Sequence, residues 1–291
     1  MDTLFDFERF PSIETPRLLS RELRREVAEP EKREEEMIHH NYPILEFDNA
    51  AEAILEPKRI VKPIDAPEHA VACFFQDVIT RLSQQHTTTI IKHLRSEIGT
   101  HPVYELDVQG KRLAVFHPGV GAPLAAGILE EVIALGCRKF IACGGAGVLG
   151  SSLAMGHLIV PTAAIRDEGT SYHYLPPGRE VSASPEGVAV LETVLKSHDV
   201  EYMLSKTWTT DAIYRETAAR VQRRKAEGCL TVEMEAAAFF AVAHFRGVQF
   251  AQVLYSGDDV SGSEWDHRHW DKHTSVREKL FWLAVEACLL L

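Results

Sequence analysis

Residues 139–150 read KFIACGGAGVLG: a short apolar run of strand length passes without a break into a glycine-rich segment. Such a run bounded by glycine marks a buried strand that ends in a tight turn. Just before it, PGVGAPLAAGILEEVIALG (118–136) opens on a glycine turn, repeats Leu124, Ile128 and Val132 at helical spacing, and ends on Gly136, a natural C-cap. Further upstream AVACFF (70–75), TTTIIKHL (87–94), VYELDV (103–108) and RLAVFH (112–117) read as strands, the last two joined by a QGK turn. Downstream, HLIVPTAAI (157–165) and EYMLSKTWTT (201–210) read as strands. Ser184–Pro185 starts a helix in cap-then-proline order, and RETAARVQRRKA (215–226) reads as another. A helix from 233 to about 246 closes at Gly247, VQFAQVLYS (248–256) is an apolar strand ending at GDD, and TSVREKLFWLAVEACLLL is a final amphipathic helix. Strands and helices in this alternation predict an α/β fold: a mixed, largely parallel sheet with helices on both faces. In such sheets ligands bind beyond the carboxyl ends of the strands. The glycine segment 144–150, the acid-rich helix start at 233 and Asp258 all fall there.

Composition sets the outer bounds. The chain has 291 residues and is 45% hydrophobic, enough for one large α/β domain with a full core. A formal net charge of −11 argues against a nucleic-acid partner. Cys73, Cys137, Cys143, Cys229 and Cys288 are scattered, with no CxxC pair, as expected of reduced thiols in a cytoplasmic protein. MDTLFDFERF has no basic segment followed by an apolar one, so no signal peptide is expected. No stretch approaches the ~18 apolar residues of a membrane span. Residues 1–66 differ from the rest. The charge-dense SRELRREVAEPEKREEEMIHH and the proline-punctuated EPKRIVKPIDAP predict an N-terminal arm, solvated or docked on a neighbouring subunit, ahead of a domain spanning 67–291.

TVEMEAAAFF (231–240) places Glu233 and Glu235 around Met234 at the head of an alanine-rich helix. Acids at a helix N-terminus complement its dipole. A carboxylate also has two acceptor oxygens for the paired hydroxyls of a sugar diol. Spacing alone leaves both readings open.

Six segments in this order resemble the nucleoside phosphorylase family, which includes uridine phosphorylase, purine nucleoside phosphorylase and methylthioadenosine nucleosidase: VFHPGVGAP, GCRKFIACGGAGVL, MGHLIVPTAAIRDEGTSYHY, TTDAIYRET, VEMEAAAFF and SGDDVSG. The likeness is nearest to uridine-phosphorylase-like text and runs from about residue 100 to 262. It implies a sheet that curls towards a barrel, cleavage of a nucleoside N-glycosidic bond, and a homo-oligomer assembled from dimers, up to a hexamer. It implies neither cofactor nor metal, with inorganic phosphate as co-substrate. By the same resemblance Glu235 accepts the ribose hydroxyls beside Glu233, Met234 packs on the sugar, and Asp258 serves the N7 of a leaving purine, with Asp259 as its neighbour and rival. Tyr214 falls where an aromatic stacks on the base. Arg166 and His173, in RDEGTSYHYLPP, fall on the segment that reaches into the site.

The resemblance breaks at the phosphate. Ala142 stands where an arginine is expected, Gly145 where a hydroxyl residue is expected, and CFFQDVITRL lacks the usual glycine. The backbone N–H groups of Gly144, Gly145 and their neighbours up to 147 remain as an expected anion nest. Arg81 is a weak stand-in. The runner-up is a nucleosidase that uses water, with Asp77 as the base; a catalytically silent nucleoside-binding protein is the third reading. EWDHRHWDKH (264–273) carries His267, His269 and His273 among acids, and is read as a lid or surface turn rather than a metal site.

Overall fold

The computed structural model describes residues 39–84, 88–150, 153–269 and 274–291. Most of the expected arm, including nearly all of its charge-dense block, lies outside these residues. In chain order α1 (Pro57–Ile60) and β1 (His69–Cys73) lead to α2 (Gln76–Ser83). A meander follows, of β2 (Thr88–Ser96), β3 (Gly99–Val108) and β4 (Lys111–Phe116). Then come α3 (Ala122–Leu135), β5 (Lys139–Val148), β6 (Leu158–Asp167), β7 (Glu180–Ser182), α4 (Pro185–Ser197), β8 (Tyr202–Thr210) and α5 (Ala218–Ala226). The last elements are β9 (Cys229–Glu233), α6 (Ala236–Arg246), β10 (Gln249–Asp259) and α7 (Thr274–Leu290).

The strands form one mixed sheet in the order β10-β6-β8-β9-β5-β1-β4-β3-β2, with β7 on β6. Strand β10 also pairs with β5, so β5, β9, β8, β6 and β10 close a ring while β1, β4, β3 and β2 extend from it as an open wing. The central block β4-β1-β5-β10 is parallel. Alternation along each strand sends side chains to two cores. Ala70, Ala114, Phe140, Ala142 and Phe250 face α3 and α6. Val71, Val115, Ile141, Cys143 and Val253 face α2, α4 and α7. Both faces are covered, which is why these strands read as unbroken apolar runs. Phe250 stacks on Phe239 of α6 at 4.7 Å between ring centroids and ties the ring to its helix.

Local signals explain most boundaries. Gly136 and Gly247 end α3 and α6 at φ 137° and 63°, where only glycine is unstrained. Ser184 and Pro185 begin α4 as expected, but the Ser184 hydroxyl does not cap the helix. It accepts the Phe250 N–H at 2.8 Å instead and pins α4 to β10.

Two elements differ from the sequence reading. The glycine segment is no loop: β5 continues to Val148, with Gly144, Gly145 and Ala146 in register with Leu254, Tyr255 and Ser256 of β10, then Gly147 and Val148 opposite β9. Extended, paired backbone does not curl into an anion nest. Glycine is required here for approach, because a Cβ at 145 would stand 2.9 Å from the Tyr255 ring. The helix expected from 233 begins at Ala236, because Cys229–Glu233 is a short strand, buried at four of its five positions.

Residues 53–66, within the expected arm, lie against the domain. Val61 is buried, and the Ile64 N–H donates to the Leu135 carbonyl at 3.0 Å. Arg246 of α6 holds Glu130 of α3 at 2.7 Å and Glu56 at 3.2 Å.

Candidate active site

The carboxyl ends of β5, β9 and β10 open on a cleft of about 310 Å³. Glu233, Met234, Glu235, Gly145 and Asp258 all line it. Gly144 lies just behind, its backbone packed on Phe74, where a Cβ would be 3.1 Å from the ring.

The two glutamates have separate duties. Glu233 ends β9 and turns its carboxylate inward: Oε1 accepts the Thr209 hydroxyl at 2.6 Å, and Oε2 accepts the N–H groups of Glu235 and Ala236 at 2.8 and 2.6 Å. It therefore caps α6 from outside the helix and fixes the segment that carries Met234 and Glu235. Glu235 accepts the Gly121 N–H at 2.6 Å and the Met234 N–H at 3.2 Å. Each of its oxygens keeps a lone pair for a ligand in the cleft. Burial raises the pKa of both carboxyls. Bonds from Thr209 and the two amides pull Glu233 back down, while the charge on Glu233 pushes Glu235 further up.

At the opposite end stands Asp258. Its Oδ2 accepts the Trp265 indole N–H at 2.7 Å. Asp259 is turned away: it is held by Arg268 and accepts the Ser261 N–H at 2.8 Å. Geometry thus separates the rivals and leaves Asp258 in the cleft. Beside it is Glu216, absent from the sequence reading, whose carboxyl is pushed up to about 7 by burial and then by the charge of Asp258.

Three expected residues lie elsewhere. The one-turn helix Ile213–Arg215 puts Ile213 and Glu216, three apart and on one side, at the cleft. Tyr214 between them points outward and is 94% exposed. Arg166 is buried at the end of β6, donating to the Ser171 hydroxyl at 2.9 Å and to the carbonyls of Pro176 and Leu175 at 2.7 and 3.1 Å. It stacks on Tyr172 at 4.3 Å, so its donors hold the 166–177 loop together. His173 lines a separate groove with Tyr174 and Phe245.

Asp77, the expected water-activating base, does not line the cleft. Its two oxygens pair with Arg277 and Arg81 at 3.3 Å each. His267 and His269 stack edge to face, and His273 lies outside the described residues. Besides Glu216, the cleft walls include Gln252, Tyr255 and Arg277, all read in the sequence as strand or helix text without a role. Gln252 was the detectable one: an amide enclosed by apolar neighbours in the middle of a buried strand.

The family model described as Phosphorylase superfamily matches residues 68–289. Guanosine phosphorylase from Halorubrum lacusprofundi is 30% identical over 56% of this chain and 68% of its own length. Uridine phosphorylase from Haemophilus influenzae is 28% identical over 37% of this chain and 42% of its own. The crystal structure of uridine phosphorylase from Vibrio fischeri superposes with a TM-score of 0.67 at 22% identity, over 79% of this chain and 95% of that one. The chain belongs to the phosphorylase superfamily. Its family is that of the nucleoside phosphorylases, and the ring-closed mixed sheet is the fold it shares with that structure.

Proposed function

We propose that this protein cleaves the N-glycosidic bond of a nucleoside by phosphorolysis, giving the free base and a pentose 1-phosphate, as a homo-oligomer assembled from dimers. The observation that carries this is the pairing of Glu235 and Asp258 across one cleft, with Met234 on its wall. Glu235 binds the sugar diol through charge-assisted hydrogen bonds. A phosphate oxygen attacks C1′ as the C1′–N bond breaks and its electron pair leaves on the base. Positive charge grows on the sugar in the transition state, so a carboxylate beside it stabilises that state more than the ground state. The departing base needs a proton. The Glu216–Asp258 pair supplies it, because Glu216 holds a proton close to neutrality.

Asp77 is poorly suited to activating water while both its oxygens are held by guanidinium groups. The experiment is one reaction on a panel of purine and pyrimidine nucleosides, with and without inorganic phosphate, assayed for pentose 1-phosphate against free pentose. Phosphate-dependent sugar phosphate is expected. Free pentose at a rate independent of phosphate would replace phosphorolysis by hydrolysis, and no base released from any nucleoside would leave a binding protein.

A further inference from the structure

Where the sequence lacks an expected arginine and hydroxyl, at Ala142 and Gly145 of β5, the register partners on β10 are Gln252 and Tyr255. Both are polar side chains within an apolar strand, both are about 1% exposed, and both line the cleft. The Tyr255 ring fills the space that a side chain at 145 would occupy: its hydroxyl lies 3.1 Å from the ideal Cβ of that glycine. Tyr255 hydrogen-bonds Arg277, which enters the same cleft from the first turn of α7. Arg277 is steadied by Asp77 at 3.3 Å and lies over the Phe75 ring at 5.6 Å. Oε1 of Gln252 is buried with no hydrogen-bond partner among the described residues. A buried amide without a partner costs free energy unless a ligand supplies one. Rotated by half a turn, the same amide offers an N–H donor at that point.

We propose that Gln252, Tyr255 and Arg277 form the oxyanion pocket of this protein, which takes the attacking phosphate in place of the missing strand arginine and hydroxyl. The proposal rests on the phosphorolytic reading above and names where its acceptor sits. The chemistry fits a tetrahedral oxyanion. A guanidinium fork gives charge and two parallel donors, a phenol gives one short O–H donor, and an amide gives one N–H donor. All three enter from β10 and α7, so the pocket and the sugar-binding Glu235 stand on different elements of the same cleft. Asp77 is then a positioning residue, holding the guanidinium so that it does not swing out to water.

The test uses the full chain and inorganic phosphate itself as the probe. Phosphate binding is measured by calorimetry without nucleoside, and Michaelis constants for phosphate and nucleoside are measured separately, in wild type, Arg277→Gln, Arg277→Lys and Gln252→Leu. Expected is a loss of about tenfold or more in phosphate affinity for Arg277→Gln and Gln252→Leu. Arg277→Lys should fall between, since the charge stays and the fork is lost. The nucleoside Michaelis constant should move by less than about twofold, which a general loss of structure would not permit. Should Arg277→Gln not fold, the Lys and Gln252 variants carry the same comparison. Unchanged phosphate binding in folded variants that still make pentose 1-phosphate would overturn the pocket and leave phosphorolysis standing. Free pentose formed without phosphate, together with no heat of phosphate binding, would overturn both.

Discussion

Glu235 faces the cleft with two spare lone pairs and a raised pKa. Positive charge growing on the sugar favours the ionised carboxyl, and replacement by Gln keeps the shape while removing that charge. Turnover should fall more than about tenfold, since one charge-assisted bond to a diol is worth ~1.5–3 kcal/mol; wild-type turnover would reduce the motif to a helix start. Stability should move the other way with pH. The raised folded pKa means the native protein keeps a proton that the unfolded chain has released, so the stabilising contribution is whole below the ordinary value of 4.5 and fades as pH rises through the folded value. The melting temperature of Glu235→Gln relative to wild type should therefore climb between about pH 5 and about pH 8. Asp258 and Glu216 invite a different measurement. Asp258→Asn should harm purine nucleosides more than pyrimidine ones, because only a purine presents N7; equal losses would remove that assignment. With Glu216 titrating at about 7, kcat/KM on a purine nucleoside should decline as pH rises through that value. Glu216→Gln should flatten the decline, and an unaltered profile would place the proton elsewhere.

At the scale of elements, close backbone approach holds the site together. Gly187, in the first turn of α4, lies so near β10 that an added Cβ would meet that of Ala251 at 2.6 Å. Gly187→Ala must lift the helix from the strand that carries Gln252, Tyr255 and Asp258. Overpacking of this kind costs ~1–3 kcal/mol, a drop of several degrees in melting temperature for a domain of this size. A thermal scan showing no drop would mean that α4 rides loosely on the sheet. These elements were legible in the sequence where a periodic apolar pattern met a cap residue, as at Gly136, Ser184 and Gly247. They were illegible where glycine served two purposes. GGAG reads as a turn by composition, yet it is strand, chosen because Tyr255 and Val232 press against it. The carboxylates were legible because EME and GDD are compact motifs. Glu216 and Arg277 were not, because each stands in ordinary turn or helix text and only the fold brings them to one cleft. Tyr214 misled for the same reason: a motif fixes position along the chain, while the sense of a single turn decides which neighbour faces in.

Among the described residues, several large apolar side chains are exposed close together around α1. Ile54 is 93% exposed, Leu55 66% and Ile60 59%. Leu55 and Ile60 line a groove of about 780 Å³ against α3, α6 and the 166–177 loop, together with Phe245 and His173. Contiguous apolar surface of this kind marks association rather than solvent contact. It also lies on residues anchored through Glu56 and Arg246 to α6, the helix that Glu233 caps, so a partner seated there would brace the sugar-binding end of the cleft. A stable interface takes about 800 Å² from each subunit. Sedimentation at micromolar concentration should show a dimer or a larger assembly. The paired change Ile54→Glu and Ile60→Glu should shift it towards monomer and lower the melting temperature, while each monomer keeps its far-ultraviolet spectrum. A wild-type chain that sediments as a clean monomer would show that the groove binds something other than a second copy.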